Sequence, residues 1–318
     1  IDYAETGQGE SQYMTDVLAR KSGDFMQRAG AEHVPFFAYL ATYAPHVPVK
    51  PAHRHETLFP GLQAPRGGSF NEADVSDKPA GIRFDPLLSA DEIAKMDQEY
   101  LARVQAMQAV DEMIAHLVTV LKDTGQLDNT YIIFTSDNGY HFGQHRLAAG
   151  KATPYEEDIH VPFIVRGPGI KAGSILQGYI TGNVDFAPTI AELAGVVPPS
   201  YIDGRSMLGL FGATSLPIRE WRSGYLLEFY GYNAPGANSA NAPAPAPEYL
   251  GLRTPQYLYV EYLDGFIELY DLKTDPYEMN NIAVTADKNL LQHLSTWLHA
   301  LSSCVGKQCR ALDQDVAK

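Results

Sequence analysis

Asp137-Asn138-Gly139 closes a short apolar run, Tyr131-Ile132-Ile133-Phe134-Thr135-Ser136, and Lys151 follows 13 residues after Asn138 across a segment holding His141 and His145. A carboxylate and an amide oxygen are the ligands that a hard cation such as calcium or magnesium prefers. Replacing one carboxylate by a neutral amide lowers the negative charge of such a site, which suits a metal that must also receive an anion. A lysine and histidines beside it would supply the positive field an anionic ester needs. The chemistry that follows is electrostatic clamping of the ester and protonation of its leaving oxygen. His46, in the loop Tyr43-Ala44-Pro45-His46-Val47-Pro48 after another apolar run, is the further candidate. Taken one at a time, these residues have plainer readings. Asp-Asn-Gly is a turn that favours left-handed conformations, Lys151 is a solvated amine, and each histidine is a hydrogen-bonded loop residue. His53-Arg54-His55 could bind a metal, but two histidines in a loop-like stretch are more often inert.

These residues are expected at the ends of strands. Pro35 to Ala41 fits a buried strand, as do Tyr131 to Ser136 and Val161 to Val165. Before them, Thr15 to Ala29 reads as a helix, and between the first two Ser89-Ala90-Asp91-Glu92 is a capping box that opens a long helix ending near Thr124-Gly125. Asp185 stands as an N-cap for a helix over Phe186 to Leu193. Strands alternating with helices predict an α/β fold with a mostly parallel sheet and helices on both faces. In such sheets ligands bind beyond the carboxyl ends of the strands, so His46 and Asp137-Asn138 are expected to face one crevice. From about Leu210 the pattern changes. Tyr225 to Tyr230 and Tyr257 to Tyr262 alternate, Asp264-Gly265 marks a hairpin into Phe266 to Tyr270, and Leu290 to Leu301 is amphipathic. This predicts a smaller C-terminal antiparallel sheet with a terminal helix, and a division into residues 1–212 and 213–318. The stretch from His53 to Pro86 and the Ala/Pro run from Asn233 to Pro247 read as surface loops that shape specificity.

Composition bounds the function from outside. The chain has 318 residues, 45% of them hydrophobic, enough for a sizeable core. Its formal charge of -14 opposes non-specific attraction to nucleic acid or an anionic membrane face, so an anionic substrate must be held locally. No apolar run approaches the roughly 20 residues needed to span a bilayer. Cys304 and Cys309 have no histidine beside them, which argues against a metal. They form either a short-loop disulfide or two free thiols, and the first favours an oxidising compartment. The chain opens at Ile1-Asp2-Tyr3 without an initiator methionine or leader, and the expectation is that a preceding segment was removed or never included.

The order of these pieces is more specific than any one of them. Phe36-Phe37-Ala38-Tyr39-Leu40-Ala41 to Ala44-Pro45-His46-Val47-Pro48 resembles the sulfatase family of the alkaline-phosphatase-like superfamily. So does Phe134 through Leu147 with Gly150-Lys151 and Pro154 to Ile159. Val161 to Ile170, Asp185 to Ile190, and Glu268-Leu269-Tyr270-Asp271-Leu272 with Asp275-Pro276 and Glu278 continue the likeness in order. It covers nearly the whole chain and is most similar to arylsulfatases and N-acetylglucosamine-6-sulfatases, whose tails also resemble the Cys304/Cys309 loop.

The resemblance implies hydrolysis of a sulfate ester, on a small molecule or a sugar, at a calcium ion, with magnesium the alternative. Asp137 and Asn138 would be two metal ligands. Lys151 and His46 would hold sulfate oxygens, one of them helping the alcohol leave, with His141 and His145 as pocket residues. His160 stands where arginine is expected. The larger departure concerns the nucleophile. Sulfatases of this type use a cysteine oxidised to formylglycine in Cys-x-Pro-x-Arg, and neither Cys304 nor Cys309 has that context. The chain is therefore expected to be the C-terminal portion of a sulfatase, partnered by an absent N-terminal segment and inactive alone, in a secreted, periplasmic or lysosome-like compartment. The alternatives are a phosphomonoesterase or phosphodiesterase of the same superfamily, and a non-catalytic anion-binding remnant.

Overall fold

The computed structural model describes residues 12–212, 216–231 and 247–314. The Ala/Pro run expected to be a loop lies almost wholly outside them. The described residues form two compact units. One draws on Ile1–Pro65, Ser89–Ile133 and Val165–Pro168, the other on Arg66–Leu88, Phe134–Ile164 and Gly169–Lys318.

In the first unit, helix α1 (Met14–Ala31) packs on the long helix that starts at Ser89. After a four-residue helix α2 (Ala80–Arg83) in the other unit, that long helix is α3 (Ala90–Asp123). Its capping box is formed as expected: the Ser89 side chain accepts from the Glu92 amide and Glu92 returns the bond to the Ser89 amide. Ala106, Ala109, Val110, Met113, Leu117, Val120 and Leu121 bury one stripe of it. Gly23 in α1 permits the close approach, since a Cβ there would lie 2.7 Å from His116. Arg54 joins the helices, pairing with Asp16 at 2.7 Å and Glu112 at 2.5 Å.

The expectation of a buried strand over Pro35 to Ala41 is corrected: no strand is assigned there. The segment is extended with every second residue exposed, Phe37 at 64% and Tyr39 at 82%, while Phe36 turns inward onto the Phe25 ring at 5.8 Å. Side-chain alternation is local, but a strand also needs a neighbour for its backbone groups. None of the described strands pairs with it.

Strands β1 (Ile132–Thr135) and β2 (Phe163–Arg166) pair in a two-stranded sheet, as their apolar runs predicted. Helices α4 (Glu156–Ile159), α5 (Phe186–Leu193) and α6 (Leu208–Phe211) follow in the second unit. The second unit then builds an antiparallel sheet in the order β3 (Tyr225–Phe229), β4 (Tyr249–Arg253), β5 (Tyr257–Tyr262) and β6 (Ile267–Asp271). β4 was not legible, because it follows the Ala/Pro run directly and carries Gly251 at its centre. Helix α7 (Lys288–Ser302) supplies Leu294, Trp297, Leu298 and Leu301 to a core with Leu252, Tyr259 and Leu269, and α8 (Lys307–Leu312) follows. Cys304 and Cys309 are joined in a disulfide, which decides between the two readings.

The stretch expected to be a surface excursion from His53 to Pro86 is partly interior. Ser69, Glu72, Val75, Lys78 and Ile82 are buried in the second unit, and Val75 and Ile82 join a tyrosine-rich cluster with Tyr155, Tyr249, Tyr262 and Tyr270. At its heart the buried Glu268 carboxylate accepts from Tyr155 (2.9 Å), Tyr262 (2.5 Å) and Tyr270 (2.5 Å). Burial still raises its carboxyl above the ordinary range despite these donors. A folded chain that binds this proton more tightly than the unfolded chain loses stability as pH rises from the unfolded value, about 4.3, through the raised folded one. Glu268→Gln is therefore expected to flatten stability over that interval while keeping a hydrogen-bond acceptor among the tyrosines. Urea unfolding from pH 4 upward checks this, and parallel curves for the two proteins would contradict it.

Candidate active site

β1 ends at Thr135, and the chain turns sharply through Ser136 to Gly139. The Ser136 hydroxyl donates to the Asn138 carbonyl at 2.8 Å, and the Asn138 amide donates to Asp137 Oδ1 at 3.0 Å. Asp137 is exposed and Asn138 half-buried. Asn183 Nδ2 steadies the turn from outside by donating to the Asp137 carbonyl at 3.0 Å. Asp137 Oδ2 takes part in none of the described hydrogen bonds and stays available to a cation. The chain bends at Asp137, but none of Asp137, Asn138 and Gly139 takes the left-handed conformation of the plainer reading, and the bend presents two side-chain oxygens.

Lys151 Nζ donates to Asn138 Oδ1 at 3.0 Å, so the lysine and the amide expected to act together do meet. What brings them together is the antiparallel bridge between His141 and Gly150, closed by bonds of 2.9 and 3.1 Å. The loop is also fastened to α4. Gly139 and Tyr140 amides donate to the carbonyls of Asp158 (2.7 Å) and Glu157 (2.8 Å). A Cβ on residue 139 would lie 2.0 Å from the Glu157 carbonyl oxygen, so only glycine allows this approach.

His141 is buried, with Nδ1 3.0 Å from both oxygens of Asp158, whose Oδ2 also accepts from the Thr153 amide (2.8 Å) and hydroxyl (2.7 Å). His145 is fully buried; its Nδ1 lies 2.7 Å from Glu72 Oε2 and its ring 4.3 Å from that of Tyr155. His46 belongs to the first unit, is exposed, and has Nδ1 2.6 Å from the Val47 carbonyl. There the donor is Nδ1–H, which leaves Nε2 as the acceptor nitrogen. His53 pairs with Glu56 and His55 with Glu112 at 2.9 Å each, so their partners are carboxylates within their own unit. His160, in the place of the expected arginine, lies 3.4 Å from Glu156, which raises its pKa against burial.

Several residues of this region were not singled out by sequence. Glu157 and Asp158 sit inside a recognised run but look like a solvated helix turn. Glu72 comes from a stretch without periodicity and carries no local signal. Asp185 does stand at the N-cap of α5, yet its side chain makes no cap bond. Its carboxylate is taken instead by Arg222, by the Gly182 amide and by the Arg205 amide.

The sequence matches two family models: Sulfatase over residues 2–196, and N-sulphoglucosamine sulphohydrolase, C-terminal, over residues 143–303. It is 35% identical to N-acetylglucosamine-6-sulfatase of Homo sapiens over 94% of this chain and 57% of that protein. It is likewise 35% identical to an arylsulfatase of Volvox carteri over 93% of this chain and 52% of that protein. The chain therefore spans about half the length of these relatives. Among solved structures it superposes on a protein in complex with its substrate D-glucosamine-2-N,6-O-disulfate, with a TM-score of 0.79 and 26% identity over 96% of this chain and 72% of that one. The expected fold, α/β with a smaller C-terminal antiparallel sheet and a terminal helix, is borne out by this likeness.

Proposed function

The chain belongs to the sulfatase family, and from that premise we propose that it carries the metal and leaving-group side of a sulfuric ester hydrolase acting on a sulfate monoester, an aryl sulfate or a sulfated sugar. The observation that carries the reading is the Lys151 amine seated on Asn138 Oδ1 beside the open Asp137 carboxylate. The two oxygens fit a hard cation, calcium before magnesium, as part of a larger oxygen shell. Polarisation of a sulfate oxygen is the chemistry that cation supplies when bound.

Lys151 has three N–H donors, one of them spent on Asn138, and in this reading the others serve sulfate oxygens or the oxygen of the departing alcohol. His46 is assigned the second sulfate-holding role on its motif alone, through Nε2. His141 and His145 are assigned as pocket residues that act from behind: each is fixed by a buried carboxylate, and His141 sets the backbone opposite Gly150, next to Lys151. The formylglycine nucleophile of this reading lies on a segment outside these 318 residues, which alone are expected not to turn over. The disulfide between Cys304 and Cys309 supports an oxidising compartment, secreted, periplasmic or lysosome-like.

The test is made on the full-length protein, comparing an aryl sulfate with the matching aryl phosphate, with calcium and after chelation. Faster, calcium-dependent sulfate hydrolysis is expected. Faster phosphate hydrolysis would assign the chain to the phosphoester branch of the superfamily, and calcium-dependent binding of a sulfated sugar without turnover would make it an anion-binding module.

A further inference from the structure

Behind the loop that follows β1, the second unit buries a cluster that takes no direct part in the proposed hydrolysis. A ring nitrogen of His145 and one carboxylate oxygen each of Glu157 and Glu278 lie within 4.8 Å of one another. The three come from different places in the chain: the loop after β1, the start of α4, and the loop after β6. His145 and Glu278 are almost completely buried and Glu157 partly so. Three of their polar atoms, His145 Nε2, Glu157 Oε2 and Glu278 Oε1, are buried without a hydrogen-bond partner among the described residues. One such orphan costs about 1–3 kcal/mol, and three side by side call for a shared partner.

The surroundings define that partner. Glu72 Oε2 lies 2.7 Å from His145 Nδ1, and Glu72 is itself buried and 3.6 Å from Lys78. A carboxylate at Nδ1 fixes the proton there and leaves Nε2 as a lone pair, the arrangement that orients metal-bound histidines. The Glu157 and Glu278 carboxylates lie within 4.8 Å of a nitrogen of that ring, and no described lysine or arginine pairs with either of them. Glu278 instead accepts from the Glu156 amide at 3.2 Å, and Glu157 from the Ser69 hydroxyl at 3.4 Å.

We propose that His145, Glu157 and Glu278 form a second metal site, separate from Asp137 and Asn138, that takes a borderline divalent cation of the zinc class through His145 Nε2, Glu157 Oε2 and Glu278 Oε1. One imidazole and two carboxylates match zinc, whereas calcium favours an all-oxygen shell. The ion ties the loop after β1 to α4 and to the loop after β6, and so holds from behind the loop that presents Lys151. The inference stands whether or not the Asp137 turn hydrolyses sulfate, because its readout is metal binding.

The test uses the full-length protein stripped with chelator, desalted and reloaded with zinc chloride. Anomalous diffraction at the zinc edge is expected to show one peak bounded by the three named atoms, not displaced by a large excess of calcium. His145→Ala and Glu278→Gln should each lower zinc affinity at least about 100-fold, and Glu72→Gln roughly 10–100-fold through the histidine it orients. Asp137→Ala should leave the peak in place. Circular dichroism of each variant separates lost binding from lost fold, and the wild-type diffraction needs no variant. Absence of a peak at these atoms would overturn the proposal. So would a Glu278→Gln protein as stable as wild type with zinc and with chelator alike, since the carboxyls would then be sharing a proton.

Discussion

Lys151→Ala in the full-length protein should lower kcat for a sulfate monoester by roughly 10²–10³, the usual cost of removing one preorganised donor from a developing negative charge. The side chain is half-buried and its described hydrogen bond is the one to Asn138 Oδ1, so the fold does not depend on it. The melting temperature should stay close to that of wild type. Lys151→Arg should recover little, because a planar guanidinium cannot occupy the point position of the ammonium 3.0 Å from Asn138. A leaving-group role adds a further signature: the loss should be larger for poor leaving groups, such as sugar alcohols, than for nitrophenols, which depart without a proton. A loss below tenfold on both would remove Lys151 from the chemistry. A rise in KM with kcat unchanged would reduce it to ground-state binding.

Arg222→Met should cost about 3–5 kcal/mol of stability, the range expected when one member of a buried ion network is removed. Arg222 is buried between two carboxylates. It meets Asp185 through two bonds, of 2.5 and 2.8 Å, and Asp313 through Nε at 3.1 Å, while Arg205 approaches Asp313 from the other side. Asp185 is wholly buried, and burial already raises the Asp313 carboxyl. Without the guanidinium Asp313 keeps only Arg205, and the buried Asp185 keeps backbone amide donors but no paired cation. The network fastens the N-terminus of α5 to the chain just after α8, so the loss should appear as earlier urea unfolding of the second unit. The double variant Arg222→Met with Asp185→Leu should regain part of it, because the uncompensated charge goes with its partner. A single variant within 1 kcal/mol of wild type would show that the network is energetically neutral.

Both predictions depend on residues whose legibility in the sequence differed. Lys151 was found because glycine and spacing mark it: Gly150-Lys151 follows Asp137-Asn138 at a fixed interval in a run specific to one family. Arg222 left no such trace. Asp185 was read as a helix cap, which its position supports, but the partner that claims its carboxylate lies 37 residues on. A cap is local and can be inferred from neighbours; an ion pair across that interval depends on how the chain folds back. The same distinction separates Ser89 and Glu92, whose reciprocal bonds formed as read, from Pro35 to Ala41. There the apolar run was read as a buried strand, and the segment is extended but exposes every second residue and has no strand partner among the described strands.

The sequence by itself determined the elements with short-range causes: the capped helix α3, the apolar runs that became β1 and β2, the Asp264-Gly265 hairpin, and the motif order that marks a sulfatase. It also singled out Asp137, Asn138, Lys151, His46, His141 and His145 as candidates, and of these Lys151 and Asn138 meet in the fold. Only the tertiary structure decided which side chains are solvated and which are locked. It buried Glu72 and Lys78 from a stretch that read as surface, gathered three tyrosines on Glu268, and set Glu157 and Glu278 against His145 although 121 residues separate the two acids. The physical reason is range. Periodicity, capping and turn chemistry act over a few residues, whereas desolvation and charge pairing are fixed by whichever segments the folded chain brings within a few ångströms.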